Sequence, residues 1–271
     1  MEMSRSRIPS NLRPVGSDSP ILATHDLTMQ FGGLTAVSQV SLALARGEVT
    51  AIIGPNGAGK TTMFNLISGL LTPTAGRVAL LGTDVTGWAP HRIATLGLAR
   101  TFQNVQLFPN LNAVENVMAC RYCRTRSTFV DSVLGLPRDR AERRRTREIA
   151  EELLQWVGIA DKRFVMPGEL PYGAQRRLEI ARALITEPRL IMLDEPSAGM
   201  VPAEARGLMD LIGKLKDRGL TILLIEHNMS VVMSISDRIA VLNFGQKIAE
   251  GRPADIRTNA DVIEAYLGAE T

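Results

Sequence analysis

Val49-Thr50-Ala51-Ile52-Ile53-Gly54-Pro55-Asn56-Gly57-Ala58-Gly59-Lys60-Thr61-Thr62-Met63-Phe64-Asn65-Leu66-Ile67 decides the fold. Its first five residues read as a buried strand. From Thr62 to Ile67 it reads as the first turns of a helix. Between them Gly54–Thr62 fits G-x-x-x-x-G-K-[ST], a phosphate-binding loop. Three glycines let the backbone close around an anion where a Cβ would obstruct it. The loop N–H groups, from Asn56 and Gly57 through Gly59 to Thr62, and the helix N-terminus then point at phosphate oxygens. Lys60 can reach the β- and γ-phosphates of a nucleotide, and Thr61 can hold Mg²⁺. A glycine-rich turn without a ligand would need neither flank.

The loop sits in an alternating pattern of strand-like and helix-like segments after about residue 45, which indicates an α/β fold with a P-loop core. Upstream, Ile21–Met29 and Ala36–Leu44 read as strands of a small antiparallel sheet turned at Gly32-Gly33, with Arg77–Leu81 joining them. From Leu111 to about Gly158 strand signals vanish, and an α-helical subdomain is expected between about 103 and 175. Strands return at Leu190–Leu193, Thr221–Ile225 and Arg238–Asn243, and a helix at Ala203–Arg218 stops before Gly219. The cassette-like part is expected over 21–255. A C-terminal helical tail over 256–271 includes Ala260–Leu267. Met1 to about residue 20, rich in Ser, Arg and Pro, reads as a disordered tail and lacks the apolar core of a secretory signal.

At 271 residues, 45% hydrophobic and 22% charged, the chain can bury a large core without staples. No apolar run reaches the roughly 18 residues of a membrane span. Two cysteines, Cys120 and Cys123, suit a reducing cytoplasm rather than a disulfide framework. Their Cys-x-x-Cys spacing has no second Cys or His pair to complete a zinc site. The net charge of +3 is uneven. Arg121 to Arg147 holds nine arginines against three acids, a local +6, so the rest carries −3. That run reads as a solvated helix face or as a contact for anionic headgroups or an acidic partner. With only 4% aromatics, a nucleic-acid binder is not indicated.

Farther on, Arg189-Leu190-Ile191-Met192-Leu193-Asp194-Glu195 is an apolar strand ending in two carboxylates. Such a strand delivers its acids to the sheet edge where α/β proteins bind ligands. Asp194 would orient Mg²⁺ through its water shell. Glu195, one residue on, is the candidate general base or water-polarising group.

Between these two stretches, Leu170–Leu184 is similar to the signature loop and helix of ATP-binding-cassette (ABC) ATPases. Thr101-Phe102-Gln103 resembles their Q-loop, Ser197–Met200 their D-loop and Ile225–Asn228 their switch-histidine loop. Phe31 lies where the family stacks an aromatic ring on adenine. The resemblance covers about residues 21–251. It implies a nucleotide site for ATP and Mg²⁺, with Glu195, His227 and Gln103 in catalysis. Thr61, Gln103 and Asp194 are implied around the metal. It also implies a head-to-tail pair of cassettes in which Tyr172 and Gly173 of one complete the phosphate site of the other. The physical fit is direct. A ring face suits adenine. An amide offers a donor and an acceptor to metal and water. A histidine at a strand end can donate to the γ-phosphate.

Within the family, Leu34–Val37, Arg100–Gln103, Arg176–Arg182, Glu226–Met229 and Val262–Gly268 look like the ATP-binding subunit of branched-chain (hydrophobic) amino-acid importers, of the LivG type. That resemblance implies two membrane permeases, a second ABC ATPase subunit forming a heterodimer (a homodimer is the alternative) and, indirectly, a periplasmic solute-binding protein. The implied location is peripheral, on the cytoplasmic face of the inner membrane. The ATPase of a lipid or lipopolysaccharide exporter and a soluble ABC ATPase acting on ribosomes or DNA are the other readings. The soluble class generally carries two motif sets or a long coiled coil, and this chain has neither. A simple P-loop kinase gives no reason for the signature helix or His227. One departure stands out: where the family has Leu-Ser-Gly-Gly-Gln, this chain has Leu170-Pro171-Tyr172-Gly173-Ala174.

Overall fold

The computed structural model describes residues 19–121 and 137–267. The expected N-terminal tail to residue 18, Cys123 and two arginines of the run, Arg124 and Arg126, lie outside them. The chain divides into two compact units. Of the described residues, one comprises Asn104–Pro188 with Gly199–Leu208; the other takes those up to Gln103, Arg189–Ala198 and those from Met209.

The larger unit holds two sheets. β1 (Leu22–Phe31) and β2 (Leu34–Leu44) form a hairpin across Gly32-Gly33 in which Phe31 faces Leu34. β3 (Val49–Ile53) lies in the second sheet. β4 (Ala75–Leu80) pairs antiparallel with β1, and the two-residue β5 (Thr83–Asp84) extends that edge. The second sheet adds β6 (Leu98–Arg100), β7 (Leu190–Asp194), β8 (Thr221–Ile225), β9 (Arg238–Asn243) and β10 (Gln246–Gly251), in the order β10-β9-β3-β8-β7-β6. All its pairs are parallel except β9–β10. Every residue of β3, β7 and β8 is buried, which explains their unbroken apolar sequence: both faces of a parallel sheet are covered. α1 (Lys60–Ile67) contributes Met63, Phe64, Leu66 and Ile67 to one continuous core with residues of both sheets, among them Leu27, Leu44, Ile52, Met192 and Leu223.

The strand expectations stand, three of them unchanged and the others with edges moved by at most two residues. Elements not foreseen include β6, β10 and the short helices Pro90–Thr95 and Pro253–Arg257. β6 and the two helices are too short to show a period, and β10, with no buried residue, offers no apolar run.

The smaller unit is helical among the described residues: Ala113–Ala119, Pro137–Trp156 and Tyr172–Leu184 pack Val114, Val117, Leu153, Leu154 and Leu178 inward. Asn112 opens the first of these helices with a capping box. Its side chain accepts from Glu115 N–H at 3.1 Å, and Glu115 Oε2 accepts from Asn112 N–H at 2.9 Å. No helix among the described residues is long and apolar enough to cross a membrane.

Candidate functional site

The loop after β3 is a backbone cradle that side chains would spoil. A Cβ on Gly54 (φ 150°) would lie 2.0 Å from the Leu242 carbonyl oxygen, and one on Gly59 (φ 96°) 2.4 Å from that of Ala36. Gly59 caps α1 without a side-chain hydrogen bond, and the first intrahelical bond runs from Met63 N–H to Gly59. The N–H groups of Lys60, Thr61 and Thr62 therefore precede the helical ladder and face the loop mouth. Lys60 is largely buried as a residue, and its ammonium donates to the carbonyls of Gly54 at 2.6 Å and Pro55 at 2.8 Å. Burial pulls it below its ordinary pKa, against the opposing fields of Glu195 and Asp194. Asn56, Gly57 and Thr61 are exposed at the mouth and Thr62 is half-buried. Free helix N–H groups, a lysine and an uncapped N-terminus fit the phosphates of a nucleotide.

The strand order brings the other predicted residues to the same edge. β3, β8, β7 and β6 are consecutive neighbours, all running the same way. The loop after Ile53, His227 after β8, Asp194 and Glu195 at the end of β7, and Gln103 after β6 thus leave the sheet side by side, about 4.8 Å per strand. Gln103 Nε2 donates to Glu195 Oε2 at 3.0 Å, and His227 Nδ1 lies 3.7 Å from the same oxygen. Glu195 itself stands at φ 46°, a left-handed conformation unusual for a non-glycine residue, with its N–H bonded to the Ile225 carbonyl at 2.9 Å. Such strain persists where the surroundings dictate it. Asp194 is buried and meets the Arg100 guanidinium at 3.2 Å.

A family model for the ABC transporter matches residues 37–198, and one for the branched-chain amino acid ATP-binding cassette transporter matches 246–271. The chain belongs to the ABC transporter family. It is 47% identical to the high-affinity branched-chain amino acid transport ATP-binding protein BraF of Pseudomonas aeruginosa, over 92% of this chain and 98% of that protein. It is 43% identical to the LivG protein of Escherichia coli K12, again over 92% and 98%. The ADP conformation of an ATP-binding cassette from an ABC transporter superposes with a TM-score of 0.80 at 33% identity, covering 92% of this chain and 99% of that one. The P-loop α/β architecture is that of the family's transport ATPases.

In the helical unit of this cassette, the helix Tyr172–Leu184 starts at Pro171, whose carbonyl accepts from Ala174 N–H at 2.9 Å and Gln175 N–H at 3.0 Å. The N–H groups of Tyr172 and Gly173 stand ahead of that ladder. The Tyr172 hydroxyl is turned along the helix and accepts from Arg176 Nε and Nη2 at 3.2 and 2.9 Å. Gln175 does not replace the signature glutamine, because its amide donates to the Leu170 carbonyl at 2.9 Å. Phe31 ends β1 about half exposed. Cys120 is half-buried and receives Arg182 Nε at 3.3 Å, and no cluster of metal-ligating residues forms among the described residues.

Two residues at the site were read in the sequence only as parts of longer motifs, with no role of their own. One is Arg100. The other is Glu226, fully buried, whose Oε1 accepts from Ser197 N–H at 2.9 Å and Ser197 Oγ at 2.5 Å. Glu226 so fastens the turn after Glu195 to the segment carrying His227. A lone arginine or glutamate reads as surface until its burial is known.

Proposed function

We propose that this cassette is the ATP-hydrolysing subunit of an importer of branched-chain or other hydrophobic amino acids. The observation that carries the reading is the convergence of Gln103 and His227 on one oxygen of Glu195, beside Asp194 and one strand away from β8. That arrangement suits activation of a water held in line with a γ-phosphate. Gly57, Gly59, Thr62 and the Asn56 segment cradle the phosphates, Lys60 takes their charge and Phe31 offers its ring to adenine. Thr61, Asp194 and Gln103 would hold Mg²⁺, which when bound would supply positive charge against the phosphates. Glu195 polarises the water and His227 donates toward the γ-phosphate. Tyr172 and Gly173 offer their N–H groups to the nucleotide of a second ATPase subunit. The solute class rests on the likeness to BraF and LivG and on the match at residues 246–271. Two permeases and, indirectly, a solute-binding protein complete the assembly, and the cassette sits peripherally on the cytoplasmic face. Reconstituting it with its permeases and a second cassette tests the reading. ATP-dependent leucine uptake is expected, and uptake that does not respond to any apolar amino acid would refute the solute class.

The helical unit is the permease contact in this proposal. Phe108 is exposed, yet its backbone is clamped: its N–H donates to Asn116 Oδ1 at 2.9 Å and its carbonyl accepts from Asn116 Nδ2 at 3.0 Å, while the Arg182 guanidinium covers one ring face at 4.8 Å. A fixed, exposed aromatic is a surface anchor for a partner helix. Phe108→Asp is expected to lower uptake at least tenfold with ATP affinity of the isolated cassette unchanged. Equal loss of both would make Phe108 a folding residue.

Pro171 has no hydroxyl and no N–H to give a phosphate. Losing one charge-assisted hydrogen bond there costs about 1.5–3 kcal/mol, roughly ten- to a hundredfold. The two ATP sites of a heterodimer are therefore expected to be unequal, the pocket around Lys60 being the stronger because a fuller signature loop on the partner serves it. In the assembled transporter, Glu195→Gln should reduce ATP turnover far more than the matching change in the other ATPase. Equal losses, or full activity from a homodimer of this chain, would remove the asymmetry.

A further inference from the structure

Arg100 is an arginine in an expensive place. Its side chain is only 7% exposed and that of Asp194 6%. Nη2 meets Asp194 Oδ2 at 3.2 Å, and Nη1 donates to Asn65 Oδ1 on α1 and to Oγ of Ser68, which caps its C-terminus, both at 2.8 Å. The guanidinium carbon lies 5.5 Å from the Phe64 ring centre and 5.1 Å from that of Phe102. One planar group is thus fixed by two side chains of the helix that follows the phosphate loop, by two rings and by a carboxylate. Lysine could not reproduce that fork. A buried carboxylate needs a compensating charge wherever it is removed from water, and here the chain supplies its own.

We infer that Arg100 is a positioning residue of the nucleotide site, the built-in counter-charge that fixes the Asp194 carboxylate against α1 and weakens its pull on Mg²⁺. The inference rests on the reading of Asp194 as a Mg²⁺ residue. A fixed positive charge beside an anion opposes an incoming divalent cation, and its removal is expected to change affinity roughly tenfold or more. The pair also ties the end of β7 to the helix behind the phosphate loop, so the metal-facing and phosphate-facing elements are held by one side chain.

The test uses the full chain with Arg100→Met, Arg100→Lys and Asp194→Asn, read by thermal unfolding with EDTA, thermal unfolding with Mg²⁺ and ADP, and Mg²⁺ titration at fixed fluorescent ADP. Arg100→Met is expected to lower Tm by roughly 6–15 °C in EDTA. Mg²⁺ and ADP should recover at least about half of that loss, because the cation takes over as counter-charge, and the half-saturating Mg²⁺ should fall roughly tenfold. Arg100→Lys, which keeps the charge, should lie near the parent in Mg²⁺ affinity and between the two in Tm. Should Arg100→Met not fold, Arg100→Met with Asp194→Asn decides, since removing the carboxylate charge that Arg100 balanced should restore folding. Equal Tm losses with and without Mg²⁺ and ADP, together with unchanged Mg²⁺ affinity, overturn the inference and leave Arg100 as packing. An Asp194→Asn variant with unaltered Mg²⁺ dependence overturns the reading of Asp194 and this inference with it. Weakened Mg²⁺ binding in Asp194→Asn beside unaffected Arg100 variants overturns this inference alone.

Discussion

Lys60→Ala is expected to abolish measurable binding of Mg-ATP. Lys60 is largely buried as a residue, its ammonium hydrogen-bonded to two loop carbonyls and placed in the field of Glu195 and Asp194. A phosphate chain entering the loop would exchange those carbonyls for stronger, charge-assisted partners. Without the ammonium, the carbonyls of Gly54 and Pro55 and the two carboxylates would face phosphate oxygens with no positive side chain between them. Truncating one member of a buried charge pair costs about 2–5 kcal/mol, which is roughly thirty- to several-thousandfold in affinity at 1.4 kcal/mol per decade. Isothermal calorimetry of parent and variant is the check. The loop conformation itself is held by Gly54 and Gly59, so the variant should fold and its Tm should stay close to that of the parent. ATP affinity unchanged by the substitution would place the nucleotide elsewhere.

Glu195→Gln should preserve nucleotide binding and slow hydrolysis by roughly 10²–10⁴, the range for a positioned base. The substitution keeps shape and hydrogen-bonding length while removing the charge that both Gln103 and His227 approach. Glutamine can still accept from the Gln103 amide through its own carbonyl oxygen, so the geometry around it should survive. The ATP-bound, paired form of the cassette should then accumulate, visible by size-exclusion chromatography with ATP present. A variant that turns ATP over at the parental rate inside its transporter would take Glu195 out of the chemistry. A control at Glu226 separates the roles. Glu226→Gln keeps the bond from Ser197 with a neutral acceptor, and it should lower turnover less than Glu195→Gln, because Glu226 holds the loops and does not face the mouth of the site.

Much of this protein was legible before any coordinates. The phosphate loop is a local device: its glycines, lysine and threonine act within nine residues, between a buried apolar strand and an amphipathic helix, so spacing alone specified it. The strands Leu190–Asp194, Thr221–Ile225 and Arg238–Asn243 were equally readable, because a sheet covered on both faces demands unbroken apolar runs. β6 and β10 were not, since three residues carry no period and β10, with no buried residue, carries no apolar run. Tertiary structure alone decided which strands are neighbours. The order β3-β8-β7-β6 joins Val49–Ile53 to Thr221–Ile225 across some 170 positions of chain, and it sets Gln103, Glu195 and His227 around one oxygen. Pairing so remote is fixed by burial and register summed over the whole sheet, which no single segment encodes. The same holds for Arg100. In the sequence it is one of many arginines; in the fold it is the charge enclosed beside Asp194, because desolvation, which separates a structural ion pair from a surface one, exists only once the chain has closed around it.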